Sequence, residues 1–292
     1  MKKIFLCLLI PLILSVSGCQ ENNTEYHPKE LDPNVTYSNV YLIMGQSNAS
    51  GVSQHKYLET SHPDIYAKYM VGNPDVLISY DTDEHIQENY VPVKFGFGNS
   101  EEYFGPEIGI ADSLNEPAYI IKATYSGSCL MTQYVNSGGK KLNFYKRFIK
   151  FIKKQLKTLE GQGKTPRLRG MFWMQGESDS FLTDSYKYLN AQQHFYEYLR
   201  SDLNDWIYEY FNFVDAYIST RTIWRQPEII NDCKQQFADR NEHCYCIKTN
   251  GEDENAITLY IKSETFEDED LAHYDSNSML LLGQTAAIYL TK

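Results

Sequence analysis

The chain has 292 residues, of which 42% are hydrophobic, and carries a formal net charge of −11 with a sequence pI near 5.1. The apolar share is enough for a sizeable core. The acidic balance excludes the basic footprint on which nucleic-acid binding rests, so neutral or locally recognised substrates are expected instead.

The N-terminus reads as an address. Lys2 and Lys3 precede an apolar run from Ile4 to Leu14, and Val16-Ser17-Gly18-Cys19 follows. A basic start, a short apolar stretch and small residues make a secretory signal, too short to span a bilayer as a mature helix. With Cys directly after Ser-Gly it resembles a bacterial lipoprotein signal, which implies cleavage after residue 18 and lipidation of Cys19. The organisation expected is a signal over residues 1–18, a polar, Pro-punctuated tether over 19–36, and one domain over 37–292. Acyl chains would anchor this domain to a membrane at the periplasmic or outer cell surface without spanning it. Export also permits disulfides. With Cys7 removed and Cys19 lipidated, Cys233 paired with Cys244 or Cys246 is the expected bridge, and Cys129 lies far upstream. The run His243-Cys244-Tyr245-Cys246 lacks the ligand spacing of a zinc site, so no metal is expected there.

Beyond the tether, short apolar runs alternate with longer helical patterns, the order of an α/β domain with a mainly parallel sheet. Five strands are predicted, at Val40–Met44, Ala118–Thr124, Leu168–Met174, Phe213–Ile218 and Tyr245–Thr249. Residues 52–104 are polar and aromatic without a clear period, and read as loops covering one end of the sheet. Pro106 opens a helix running to about Leu114, because the first helical turn tolerates its missing N–H. From Phe144 to Leu159, Phe148, Phe151, Ile152, Gln155, Leu156 and Leu159 share one face against a basic opposite side. Further helices are predicted over 184–210 and from Ser278 to Leu290. The 24 tyrosines offer rings that stack on sugars, but each one reads first as a core ring with a wet hydroxyl.

Ligands of open α/β sheets bind beyond the carboxyl ends of the strands. Ser47 lies just past the first strand, Ser126-Gly127-Ser128 past the second and Gln175-Gly176-Glu177-Ser178-Asp179 past the third. A serine there becomes a nucleophile only with a base to take its proton and donors for the oxyanion. Asp270 and His273, three apart, suit that base, since the spacing brings carboxylate and imidazole to one side. The bland alternative is a solvated acidic loop, Glu267 to Asp270, with His273 as a bystander. His27 falls in the tether, His55, His62 and His85 in the loop-like region, His194 in a helix and His243 among the cysteines.

Four motifs now stand in order: GQSN at 45–48, FGPEIGIADSL at 104–114, WMQGESD at 173–179 and D-x-x-H at 270–273. Together they resemble the SGNH-type esterases, and within them the sialate O-acetylesterase-like group that overlaps the acetyl xylan esterases of carbohydrate esterase family 6. The likeness runs from about residue 40 to 290. Ala49 stands where a G-x-S-x-G elbow has its second glycine, which argues against the α/β-hydrolase fold. The resemblance implies a three-layer α/β/α sandwich of flavodoxin-like type with a mainly parallel five-stranded sheet. It makes Ser47 the nucleophile and His273 the general base. The backbone N–H groups of Ser47 and Gly127 and the side chain of Gln175 would form the oxyanion hole. Asp270 is the third triad member by spacing, and Glu177 is its rival. Glu107 is given a structural or substrate-positioning role. No metal or organic cofactor is implied. The expected activity is removal of acetyl groups from sugars, with an acetyl xylan or other short-chain ester as the alternative substrate. A glycan-binding lipoprotein without catalysis is the alternative of another class, disfavoured because Ser47, Gln175 and His273 are all present.

Overall fold

The computed structural model describes residues 28–82, 85–251 and 255–292. The expected secretory signal, Cys7, Cys19, His27 and the first part of the expected tether lie outside the described residues. The first strand, β1 (Tyr37–Gly45), leads into a four-residue helix, α1 (Ser47–Ser50), and a two-residue strand, β2 (Ser53–Gln54). The stretch read as loops then folds into α2 (Leu58–Ser61), α3 (Pro63–Val71), β3 (Asn73–Thr82), β4 (Ile86–Val93) and the short β5 (Tyr103–Phe104). Next come α4 (Glu107–Ser113), β6 (Ala118–Thr124), α5 (Asn143–Gly161) and β7 (Thr165–Met174). The chain closes with α6 (Tyr188–Asp202), β8 (Ile207–Ala216), α7 (Pro227–Arg240), β9 (Cys244–Ile247) and α8 (Ser276–Leu290).

Seven strands form the main sheet in the order β4-β3-β6-β1-β7-β8-β9, while β2 and β5 pair separately. All neighbours in the main sheet are parallel except β3 and β4. The five predicted strands are thus present, and two more extend the sheet on one side. Of the additional pair, β4 escaped the periodicity for a physical reason. β4, with the sequence IQENYVPV, is an edge strand whose residues are mostly exposed or half-buried. An edge tolerates polar side chains and Pro92, whose missing N–H would break a ladder inside the sheet.

Helices cover both faces, and one strand shows which lies where. An added Cβ on Gly170 would lie 3.0 Å from Leu290 of α8. Trp173, three residues on and so on the opposite face, packs its ring against Phe195 of α6 at 4.6 Å and Tyr134 at 5.5 Å. Phe148 of α5 joins the same aromatic cluster. The result is a three-layer α/β/α sandwich. Cover on both faces explains why the central strands read as continuous apolar runs. All six residues predicted for the inner face of α5 are buried. Pro106 proves to be the residue before α4, not within it. The helix predicted over 184–210 is cut short because the chain leaves it at Leu203 and enters β8 at Ile207. Part of the tyrosine surplus goes into the core, where Tyr41, Tyr69, Tyr125, Tyr134, Tyr145, Tyr188 and Tyr274 are fully buried, while most of the others are half-buried.

Two expectations need correction. The stretch read as tether is tied to the domain at Lys29, which bridges Tyr208 in parallel and whose carbonyl accepts the Glu209 N–H at 2.8 Å. It uses the part of β8 that β9, paired only from Phe213 onward, leaves open. The expected disulfide is absent, since Cys129, Cys233, Cys244 and Cys246 are free thiols. Cys233 points its Sγ from α7 toward the Tyr186 carbonyl at 3.7 Å, and Cys244 and Cys246 lie within β9. Burial pushes the Cys244 thiol up to about 12 and holds it inert.

Candidate active site

The strands β6, β1 and β7 are adjacent, and their registers place Thr124, Gly45 and Met174 side by side. The residues that follow, Tyr125, Gln46 and Gln175, therefore leave the sheet together at its carboxyl edge. Gln46 N–H donates to the Met174 carbonyl and Tyr125 N–H to the Gly45 carbonyl, each at 3.0 Å. At Gly45, φ is +141° and an added Cβ would lie 1.8 Å from the Met174 oxygen. Only glycine lets the chain turn there. Gln46 stays extended, α1 starts at Ser47, and the Ala49 and Ser50 N–H groups close onto the Gln46 carbonyl at 2.9 and 2.8 Å. Ser47 is left at the rim, 8% exposed.

Asp270 and His273 come together as their spacing predicts. His273 Nδ1 lies 2.7 Å from Asp270 Oδ2, and Asp270 Oδ1 accepts the Ala272 N–H at 2.8 Å and the His273 N–H at 3.2 Å. Half-burial by itself pushes the Asp270 carboxyl up. The hydrogen bond from His273, the Ala272 N–H and the charges of His273 and Lys262 outweigh it and hold the carboxyl well below its ordinary range. An ionised Asp270 can only accept, so Nδ1 is the donor in this contact, and the tautomer it selects in a neutral imidazole has its lone pair on Nε2. The acidic run from Glu267 is thus not a merely solvated loop: Glu267 itself accepts from Ser276 at the start of α8.

Asn48, the residue after Ser47, joins the two halves of the site. Its Oδ1 accepts the N–H of Tyr274, which follows His273, at 3.3 Å, and its Nδ2 donates to Glu177 Oε1 at 2.9 Å. Ser53 Oγ donates to the Tyr274 carbonyl at 2.8 Å. The His273 loop is therefore bonded to the residue beside Ser47, although no hydrogen bond joins His273 to Ser47 among the described residues. Glu177, the rival partner for His273, is fully buried and bonds Asn48 instead. Its place is under the serine turn.

Gln175 also differs from its expected place. Its Nε2 lies 2.7 Å from Asp179 Oδ2, 3.0 Å from the Ser128 carbonyl and 3.2 Å from Gln46 Oε1. Two amide hydrogens facing three acceptors leave none for an oxyanion. Asp179 in turn receives the Leu130 and Met131 N–H groups, and burial raises its carboxyl above the ordinary value. The amide with a donor to spare is Gln46. Its Oε1 is held by Gln175 and by the Ser178 N–H at 3.2 Å, and no hydrogen bond from its Nε2 is found among the described residues. Gly127 lies exposed in the turn between the buried Tyr125 and Ser128 with φ +66°, and nothing would crowd a Cβ there. Position next to Ser47 inside GQSN was the one sequence signal for Gln46. None pointed to Asn48 as the tie to the His273 loop.

Glu107 is fully buried and pairs with Lys122 Nζ at 2.8 Å, and its Oε1 accepts the Gly105 N–H at 2.9 Å. Lys122 spends its other protons on the carbonyls of Ser50 at 2.7 Å and Phe97 at 2.9 Å. Desolvation lowers its pKa against the opposing pull of Glu107. Glu107 thus supports the end of α1 from below and does not face the site. A cavity of about 330 Å³ opens beyond β8 and β9, lined by residues that include Tyr217, Ser219, Arg221, Asp232 and Asn250. Ser47 and His273 do not line it, but Tyr274 Oη donates to the Tyr217 carbonyl in its wall at 3.3 Å.

The fold recurs in solved structures. An Arabidopsis thaliana protein superposes with a TM-score of 0.63 at 15% identity, over 88% of this chain and 99% of its own. NanS superposes with a TM-score of 0.58 at 14% identity, over 87% and 97%. A carbohydrate acetylesterase from Xanthomonas citri gives 0.54 at 12% identity, over 86% of this chain and 55% of its own. No curated protein matches the sequence. A family model described as a carbohydrate esterase, sialic acid-specific acetylesterase, matches residues 37–291. With that match over nearly the whole domain, the chain belongs to the sialic acid-specific acetylesterase family of carbohydrate esterases and is a carbohydrate O-acetylesterase.

Proposed function

We propose that the protein removes acetyl groups from sugars through a covalent acetyl-enzyme on Ser47. The observation that carries this reading is the imidazole of His273. It is oriented by Asp270 at 2.7 Å, and its loop is bonded to Asn48, the residue beside Ser47. In the first step Ser47 Oγ attacks the acetyl carbonyl carbon while His273 Nε2 takes its proton. The oxyanion is received by the backbone N–H groups of Ser47 and Gly127 and by Gln46 Nε2. Collapse expels the sugar hydroxyl, which leaves with the proton held by His273. Water, deprotonated by the same imidazole, then attacks the acetyl-serine and releases acetate. Asp270 holds the tautomer and balances the imidazolium. The lipoprotein-like signal over residues 1–18, followed directly by Cys19, supports an exported, lipid-anchored enzyme acting on sugars outside the cytoplasm.

The test is covalent. A phosphonate ester that traps activated serines should stop acetate release and add its mass to the peptide containing Ser47, with release followed on O-acetylated sialic acid, acetylated xylan and a chromogenic acetate. Modification elsewhere with full retention of activity would sink the assignment. Gln46→Ala should lower kcat by about 10²–10³ with little change in KM, the loss typical of one oxyanion donor. An unchanged kcat would return the hole to backbone donors alone.

A further inference from the structure

The carboxylate that orients His273 has a second, cationic neighbour. Lys262 is 1% exposed, and its Nζ lies 3.3 Å from Asp270 Oδ2, the same oxygen that takes His273 Nδ1 at 2.7 Å. Sharing one oxygen, the ammonium and the imidazole lie within about 6 Å of each other. The placement does not depend on the side chain. Lys262 N–H donates to the His273 carbonyl at 3.0 Å, Ser263 N–H to the Asp270 carbonyl at 3.2 Å, and Ile261 bridges Tyr274. The backbone thus fixes residue 262 behind the triad.

We infer that Lys262 is a positioning residue for catalysis, a buried fixed charge that limits how strongly Asp270 can stabilise the His273 imidazolium, so that the base stays neutral and ready at lower pH. The inference rests on His273 as the base. A simpler role exists, that of neutralising an acidic loop. The other charges facing Lys262 are Asp268, at 3.8 Å and 42% exposed, and Glu267 farther along the same loop, while Glu264 is turned to Arg221 at 3.3 Å. From the opposite element the ring of Tyr103 lies 5.2 Å from Nζ. Asp270 receives the closest contact of these, and a cation beside it acts against proton binding by the imidazole. A neutral side chain at 262 would leave Asp270 a stronger partner for the imidazolium.

The experiment follows the His273 ring by NMR across pH, alongside the pH profile of kcat/KM, in the full chain. Lys262→Met should move the His273 midpoint and the acid limb of the profile up by about one pH unit. Asp268→Asn, which leaves more of the lysine charge facing Asp270, should move both down by about half a unit. A folded Lys262→Met protein whose activity falls equally at every pH, with the ring midpoint unmoved, overturns the inference and leaves a structural staple. If Lys262→Met does not fold, Asp268→Asn decides, and an unmoved midpoint there overturns it as well. Full activity in His273→Ala would instead remove the catalytic reading, which the ring titration does not depend on.

Discussion

Ser47→Ala is expected to lower kcat for a chromogenic acetate by roughly 10⁶-fold, as loss of a nucleophile does when the rest of the machinery works only through it. The protein should stay folded, because the Ser47 hydroxyl makes no hydrogen bond among the described residues and alanine suits the first turn of a helix better than serine. A melting temperature within a degree or two of the parent, measured beside the rate, separates lost chemistry from lost structure. The same assay ranks the two carboxylates. Asp270→Asn should cost about 10⁴-fold, because an amide at that position no longer demands a proton on Nδ1 and the imidazole can present the wrong tautomer to Ser47. Glu177→Gln should cost about tenfold or less, since it supports Asn48 and does not touch the imidazole. The reverse ranking would make Glu177 the true partner of His273, and near-parental rates in Ser47→Ala would refute the acetyl-enzyme.

The second large effect falls on stability. Lys122 and Glu107 are both fully buried, and Lys122 also holds the Ser50 and Phe97 carbonyls. Lys122→Met leaves the Glu107 carboxyl in the interior without its cation, at a cost of about 3–5 kcal/mol in unfolding free energy. That is a large part of the roughly 5–15 kcal/mol available to a domain. Denaturant unfolding should show the midpoint falling with little change in slope. Activity should fall further than stability accounts for, since Ser50 closes the helix that carries Ser47. In Lys122→Met/Glu107→Leu the buried charge is gone, and much of the lost stability should return. A double variant no more stable than Lys122→Met would mean that the two carbonyl contacts, not the ion pair, dominate.

What could be read before folding divides along a physical line. Local and periodic signals survived: the five predicted strands, the inner face of α5 and the Asp270–His273 pair are each set by residues a few positions apart. The four motifs carried the family. Signals weakened where the environment is mixed. The sequence of β4 is polar because an edge strand tolerates that, so β4 looked like a loop. The cysteines near residue 240 looked paired by proximity along the chain, but α7 and β9 aim them differently.

The sequence by itself determined the α/β class, the three turns that gather at one sheet edge and the nucleophile, base and acid proposed for the site. Assigning partners to polar groups was left to the tertiary structure. Gln175 spends its amide on Asp179, Ser128 and Gln46, Glu177 goes to Asn48, and Lys262 shares an oxygen of Asp270 with His273. A buried donor or acceptor must find a partner, and which one it finds depends on strands and loops that meet from distant parts of the chain. Spacing along the chain brings a residue to the site, and only three-dimensional packing decides which of its atoms is left free to act.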